Sequence, residues 1–130
     1  MKKALLAIAF VSILFSCQKE TGEQPNILGK YKITGMVFRS AGHQDQDLLP
    51  TLPDCTEGNQ LIFESNATFK MQTCDGSENE SSRWSVKGKK LIIDGVASEI
   101  VSFDQHTLIL STPMTFFDIP GSVIETLEKQ

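Results

Sequence analysis

The stretch that decides the fold covers residues 84–103 and reads Trp-Ser-Val-Lys-Gly-Lys-Lys-Leu-Ile-Ile-Asp-Gly-Val-Ala-Ser-Glu-Ile-Val-Ser-Phe. Trp84 and Val86 alternate with polar residues, which is the pattern of a strand with one buried face. Gly88 marks a turn, and the dipeptide Asp94-Gly95 is a strong signal for a two-residue hairpin connection. The stretch therefore predicts three antiparallel strands joined by short turns.

The same alternation continues towards the N-terminus. A first strand is predicted over residues 30–38, and Gly35 lies where the apolar phase switches, as at a β-bulge. A hairpin is predicted with arms near residues 60–64 and 67–73. Its predicted pairs are Phe63 with Ala67 and Leu61 with Phe69.

Towards the C-terminus the pattern predicts further strands. Leu108 and Leu110 alternate on an arm that follows a turn at Asp104-Gln105. Pro120-Gly121 fits a type II turn. The tail over residues 122–130 fits either a helical turn or an edge strand, and the sequence leaves this choice open.

About eight short antiparallel strands are predicted once the tail is included, so the expected fold class is all-β. Closing such a sheet into an up-and-down barrel hides its apolar face and removes its edges. A two-layer sandwich is the alternative, but a Greek key needs long crossovers. The favoured fold is therefore an eight-stranded antiparallel up-and-down β-barrel over residues 27–130.

One connection between predicted strands is long and covers residues 40–58. Long loops in compact domains are usually functional or disordered. Leu48, Leu49 and Leu52 could pack over a barrel mouth as a lid. A solvated insertion is the alternative, and both interpretations stay open.

The first sixteen residues predict an export signal. Lys2 and Lys3 precede an apolar run over residues 4–15, which as a helix would span about 18 Å, too short for a hydrocarbon core of about 30 Å. The run ends in Leu-Phe-Ser-Cys and resembles the signal of bacterial lipoproteins. An ordinary signal peptide with a chance cysteine is the alternative. We expect residues 1–16 to be removed and Cys17 to be lipidated.

A lipidated Cys17 would make the membrane a partner of the protein through its N-terminal anchor. Residues 17–26 are polar and predict a flexible tether. Gln18 follows the cysteine in place of the aspartate that often retains lipoproteins at the inner membrane. We therefore expect a cell-envelope protein, with the outer membrane favoured over the inner.

The length and charge of the chain limit the class of protein to which it can belong. It has 130 residues, with 12 Lys+Arg against 16 Asp+Glu and a formal net charge of −4. This length fits one domain. Because acids and bases are mixed along the chain without a basic patch, no nucleic-acid partner is expected.

Two further cysteines, Cys55 and Cys74, flank the hairpin predicted near residues 60–73. An even number in an exported chain favours a disulfide. Folding the hairpin would bring the two thiols together, with Cys74 facing away from the core. A redox or metal pair is the alternative, but the spacing is not that of a Cys-x-x-Cys motif.

Several segments resemble the lipocalin-like domains of small bacterial lipoproteins. Gly29-Lys30-Tyr31 is similar to the Gly-x-Trp motif that opens their first strand, with tyrosine replacing tryptophan. Trp84-Ser85-Val86, followed by Gly88 and Leu91, is similar to their mid-barrel segment. The cysteine-flanked hairpin is a further similarity. The resemblance implies an eight-stranded barrel with a small apolar ligand in its mouth.

Seven apolar side chains at strand spacing are candidates for lining a ligand pocket. They are Tyr31, Phe63, Phe69, Met71, Trp84, Phe103 and Leu110. A small eight-stranded barrel can also be filled by its own side chains. The seven residues could therefore line a pocket or plug the interior.

The sequence carries no motif that predicts catalysis, a metal site or a cofactor. His43, Asp45 and Asp47 alternate, but the segment lacks the loop length, glycine and terminal glutamate of a calcium loop. His106 lies in a predicted turn and is expected to be solvated. Since no nucleophile is paired with a base, we expect that the protein is not an enzyme.

Two functions fit these predictions. The favoured one is a lipid-anchored lipocalin-like protein of the cell envelope that binds a small hydrophobic ligand in its barrel. The alternative is a packed barrel that acts as a structural or protein-interaction module through its loops, without a ligand. The sequence does not specify a protein partner.

Overall fold

The structure is a computed structural model and describes residues 25–52, 58–78 and 81–130. These described ranges contain nine strands and a short 3-10 turn at Leu49–Thr51. The strands are β1 Gly29–Arg39, β2 Gln46–Asp47, β3 Gln60–Phe63, β4 Thr68–Gln72, β5 Ser82–Lys87, β6 Lys90–Ile93, β7 Val96–Phe103, β8 Thr107–Phe116 and β9 Ile119–Lys129. Within the described ranges no helix has the length and apolar character needed to cross a membrane.

The strands close into a barrel, as predicted. From β3 to β9 each strand pairs antiparallel with the next, and β1 pairs with both β3 and β9. The two-residue strand β2 pairs with the end of β1 and adds one strand to the closed set of eight. Closure satisfies the backbone hydrogen bonds that an open sheet would leave at its edges.

The two ends of the barrel differ in their connections. At one end, here called the mouth, lie the β1–β3, β4–β5, β6–β7 and β8–β9 connections. At the other, here called the closed end, lie the three remaining connections and the start of β1. Ile27, which precedes β1, is fully buried. The chain therefore enters the barrel at the closed end.

Two local predictions are confirmed by backbone geometry. Asp94 and Gly95 both have positive φ, 50° and 81°, which is the backbone of a type I′ hairpin turn. Gly35 lies at an irregularity in the β1–β9 pairing, as expected of a bulge. A Cβ at Gly35 would lie 3.3 Å from the side chain of Thr126, so the two strands approach closely there.

The predicted turn at Pro120-Gly121 is wrong. Phe117 and Asp118 form the turn with φ values of 48° and 62°, while Phe116 pairs with Ile119 and both predicted turn residues lie in β9. Two consecutive residues with positive φ match the twist of the flanking strands better than a type II turn does. The tail is the long strand β9, which resolves the choice between helix and strand.

The predicted register of the β3–β4 hairpin is also wrong. The observed pairs are Phe63 with Phe69 and Leu61 with Met71. The connection is longer than predicted because Ala67, at φ 63°, belongs to the turn and donates its N–H to the carbonyl of Glu64. The shift is two residues, so the same side chains still point inward.

Candidate functional site

The structure brings the seven predicted pocket residues together in one apolar cluster. Tyr31, Phe63 and Leu110 are buried members of this cluster. The four others, Phe69, Met71, Trp84 and Phe103, are partly buried and pack against it. The alternation predicted from the sequence thus identifies a common interior face. Whether a ligand contacts these residues stays a prediction.

Phe63 is the centre of the aromatic packing. Its ring centroid lies 5.7 Å from that of Tyr31, 5.1 Å from that of Phe69 and 5.5 Å from that of Trp84. The indole N–H of Trp84 donates to the carbonyl oxygen of Glu64 at 3.1 Å. These contacts fill the closed end of the barrel, so this part of the interior is a packed core.

Tyr31 is fully buried, and its hydroxyl has no hydrogen-bond partner among the described residues. Burial raises the pKa of the phenol to about 12, because the phenolate would lose its hydration. At neutral pH the side chain is therefore a neutral, unsatisfied part of the core.

Towards the mouth, inward-facing side chains are not fully buried. On β8, Thr112 and Met114 continue the face of the buried Leu110, yet both contact solvent, and Met114 is 46% exposed. Met36 of β1 and Ser98 of β7 are also only half-buried. These inward-facing side chains therefore contact solvent near the mouth, where β8 extends beyond its pairing with β7. We call Met36, Ser98, Thr112, Met114 and Glu125 the upper interior.

None of the five residues of the upper interior was among the predicted pocket residues, and Glu125 is the ionisable one among them. It lies on β9 between the buried residues Val123 and Leu127 and on their face, so its side chain points inward. Its strand partners are Met36 and Leu110, which are apolar. Desolvation raises the pKa of its carboxyl group above the usual value. The alternation of Val123, Glu125 and Leu127 was the available signal.

Part of the long connection packs against the mouth end of the barrel, and its action as a lid stays a prediction. Leu48 is buried against Phe38 and Val123 in a second apolar cluster. Its backbone N–H donates to the carbonyl of Met36 at 2.8 Å, so Leu48 extends the pairing of β2 with β1. Leu49 packs against the main core and Leu52 is half-buried. Residues 53–57 of the connection lie outside the described residues.

The acidic residues near His43, Asp45 and Asp47, accept hydrogen bonds from other residues. Asp45 accepts hydrogen bonds from Arg39 at 2.8 to 3.2 Å, and this pairing lowers the pKa of its carboxyl group. Asp47 accepts from the backbone N–H of Leu49 at 3.0 Å. No group of three or more potential metal ligands is found in the part of the chain that the structure describes.

Among the open clefts on the described surface, two lie at opposite ends of the barrel. One of about 220 Å³ at the mouth is lined by Phe38, Phe116 and Phe117 together with His43 and neighbouring polar residues. Another of about 920 Å³ at the closed end includes His106, which is exposed in the β7–β8 turn as predicted. Both are surface features outside the upper interior.

The cysteine predictions rest largely on residues that the structure does not describe. Cys17 and Cys55 lie outside the described residues. Cys74 is exposed in the turn after β4, in agreement with its predicted orientation. A Cβ at Gly58 would lie 2.8 Å from the Cβ of Cys74, so the chain three residues after Cys55 passes directly beside Cys74.

The comparison with protein families agrees with this architecture. The family model for the lipocalin-like domain matches residues 20–110. The chain belongs to the lipocalin-like domain family, whose members are typically binding proteins and not enzymes. No curated protein matches the chain.

Proposed function

We propose that this protein is a lipid-anchored lipocalin-like protein of the cell envelope that binds a small hydrophobic ligand in the upper interior of its barrel. The observation that carries the proposal is the partial exposure of side chains that point inward. Met36, Thr112 and Met114 face the barrel axis and still contact solvent. The pairing of β8 with β7 ends at Ser111, so this part of the inward face is left uncovered and offers a ligand apolar surface to bury.

The surroundings of the upper interior suit an apolar molecule. The cluster of Phe38, Leu48 and Val123 borders it near the mouth, and the main core lies below it. A ligand placed between them would bury apolar surface at about 25 cal/mol per Å². A few polar groups, among them the hydroxyls of Ser98 and Thr112 at 2.6 Å from each other, would orient the ligand.

A fluorescence titration tests the binding proposal. The uncharged fluorophore N-phenyl-1-naphthylamine should bind with enhanced emission. Thr112→Phe should weaken its binding at least about tenfold, because the new ring would occupy the upper interior. Thr115→Phe is the matched control, since Thr115 lies on the same strand with the opposite orientation and is exposed. Equal binding by both folded variants would contradict the proposed location.

The lipid anchor has its own test. Cys17→Ala should release the protein from membranes in cell fractionation, since stable anchoring needs the acyl chains that the cysteine would carry. Native mass spectrometry of the processed protein should show the added mass of the lipid. A Cys17→Ala variant that stays stably membrane-bound would contradict the anchor.

A second candidate function is supported by the tip of the β8–β9 hairpin. Phe117 is 84% exposed there, and Ile119 beside it is also exposed. An apolar tip is typical of a surface that contacts another protein. The titration separates the two functions, because an interaction module with a closed interior would not bind the fluorophore in a way that depends on Thr112.

A further inference from the structure

Glu125 is an ionisable group in an otherwise apolar or neutral interior. Its carboxylate makes no hydrogen bond or ion pair with any residue in ranges 25–52, 58–78 and 81–130, and its partners on both neighbouring strands are apolar. Among the inward-facing residues of the eight barrel strands, the other ionisable side chains are Tyr31, which is neutral, and Lys129, which is exposed at the closed end. An unpaired, partly desolvated carboxylate is costly in such a place.

The position of Glu125 divides the apolar interior. Leu127, one step towards the closed end, belongs to the main core, whereas Val123, one step towards the mouth, belongs to the second cluster. The hydroxyls of Ser98 and Thr112 lie on β7 and β8, and Thr112 pairs with Val123. On β9 a carboxylate thus lies between two apolar residues, with the two hydroxyls one step nearer the mouth, and this arrangement is complementary to a molecule with a polar head and an apolar tail.

The charge around the mouth indicates the sign of that head. The four connections at the mouth contain no lysine or arginine, and they carry carboxylates such as Asp47, Glu78 and Asp118. Within the described strands no lysine or arginine points into the upper interior. Arg39, at the mouth end of β1, is paired with Asp45. The remaining carboxylates leave the rim with a net negative charge, which concentrates cations and disfavours anions.

We propose that Glu125 binds the ammonium group of a cationic amphiphile, which places a primary amine at the level of Glu125 and an apolar tail along the upper interior. This inference rests on the proposed ligand-binding function and specifies its ligand class. An ammonium group would give the Glu125 carboxylate the hydrogen-bond donors and the opposite charge that its described surroundings do not supply. Charge-assisted hydrogen bonds of this kind are stronger than neutral ones.

Matched ten-carbon compounds test the inference in the full chain. Decylamine, decanol and decanoate are each titrated against bound N-phenyl-1-naphthylamine at neutral pH, below their aggregation concentrations. Decylamine should displace the fluorophore at a concentration at least about tenfold lower than decanol. Decanoate should be the weakest. Because the ratio is measured on the unaltered protein, it does not depend on the folding of a variant.

Two glutamine variants locate the effect. Glu125→Gln should bring decylamine to the affinity that decanol has for the same variant. Glu128→Gln removes the same charge from an exposed position on the same strand and should keep the preference for the amine. Circular dichroism and Trp84 fluorescence check that both variants are folded.

The outcomes distinguish a failure of the proposed role of Glu125 from a failure of the proposed ligand-binding function. Equal displacement by decylamine and decanol would overturn the role of Glu125 while hydrophobic binding stands. An amine preference that survives in folded Glu125→Gln would also overturn it. If the fluorophore itself does not bind, the proposed function fails and the inference fails with it.

Discussion

The ring of Tyr31 packs edge-on against the ring of Phe63, with centroids 5.7 Å apart and ring planes inclined by 83°. This contact joins β1 to β3 in a part of the core where, among the described residues, no polar group pairs with the Tyr31 hydroxyl. The tyrosine replaces the tryptophan of the Gly-x-Trp motif that the sequence resembles. It fills the interior well but leaves one buried polar atom unsatisfied.

Tyr31→Phe should stabilise the protein. The change keeps the ring contact with Phe63 and removes a buried hydroxyl without a hydrogen-bond partner. We expect the free energy of unfolding to rise by about 1 kcal/mol. Urea denaturation followed by the fluorescence of Trp84, the only tryptophan in the chain, measures it. A loss of 1 kcal/mol or more would mean that the hydroxyl makes a stabilising contact.

Alkaline pH should destabilise the protein through Tyr31. Its pKa is about 12 in the folded chain and 10.0 is the ordinary value. Below pH 10 the phenol is neutral in both states, so its contribution is fully present. Between pH 10 and 12 the unfolded chain loses the proton first, and stability falls. Tyr31 is the only tyrosine, so phenolate absorbance at about 295 nm reports it directly.

The matched control for the alkaline effect is again Tyr31→Phe. Lysines also titrate in this pH range, so the comparison is the difference in stability between the two proteins as pH rises. The unaltered protein should lose more stability than Tyr31→Phe above pH 10. A native phenolate titration near pH 10, or parallel pH profiles, would show that Tyr31 is hydrated.

Gly121→Ala should be costly at the start of β9. The added Cβ would lie 2.5 Å from the carbonyl oxygen of Arg39 and 2.7 Å from the ring of Phe38. We expect a loss of about 1 to 3 kcal/mol, as in overpacked cores. Gly35→Ala is the control, because its nearest neighbour is the side chain of Thr126 at 3.3 Å. Equal unfolding midpoints for the two variants would contradict the close approach of β9 to β1.

Reduction should lower the stability of the protein if Cys55 and Cys74 are joined. In the chain-entropy model, a disulfide that closes a loop of about 20 residues stabilises the folded state by roughly 3 kcal/mol. The close approach of Gly58 to Cys74 supports the pairing. Mass spectrometry of a non-reduced digest should show the linked peptides, and a reductant should lower the melting temperature. A double variant with both cysteines changed to alanine that melts at the same temperature would show that no bridge contributes.

Much of the barrel could be predicted because its signals are local. The Asp94-Gly95 dipeptide specifies its turn through two positive φ angles, and the phase change at Gly35 specifies a bulge. Turns made from unusual residues were not predictable in this way. Phe117 and Ala67 both adopt positive φ, although neither is a residue that favours it.

The candidate site was predictable only in part. Alternation identified the inward face, including Phe63 and Trp84, because it depends on strand periodicity alone. It could not show that the closed end is packed while the upper interior contacts solvent, since that depends on where the pairing of β8 with β7 ends. Glu125 was missed because its segment was ambiguous until its pairing with both β1 and β8 was known.

The methionine methyl groups give the most direct test of a ligand site in the upper interior. Met36 and Met114 belong to the upper interior, whereas Met71 packs against the main core. In a protein labelled with ¹³C at the methionine methyls, N-phenyl-1-naphthylamine should shift the signals of Met36 and Met114 more than that of Met71. A bound fluorophore that leaves the Met36 and Met114 signals unchanged would contradict the account.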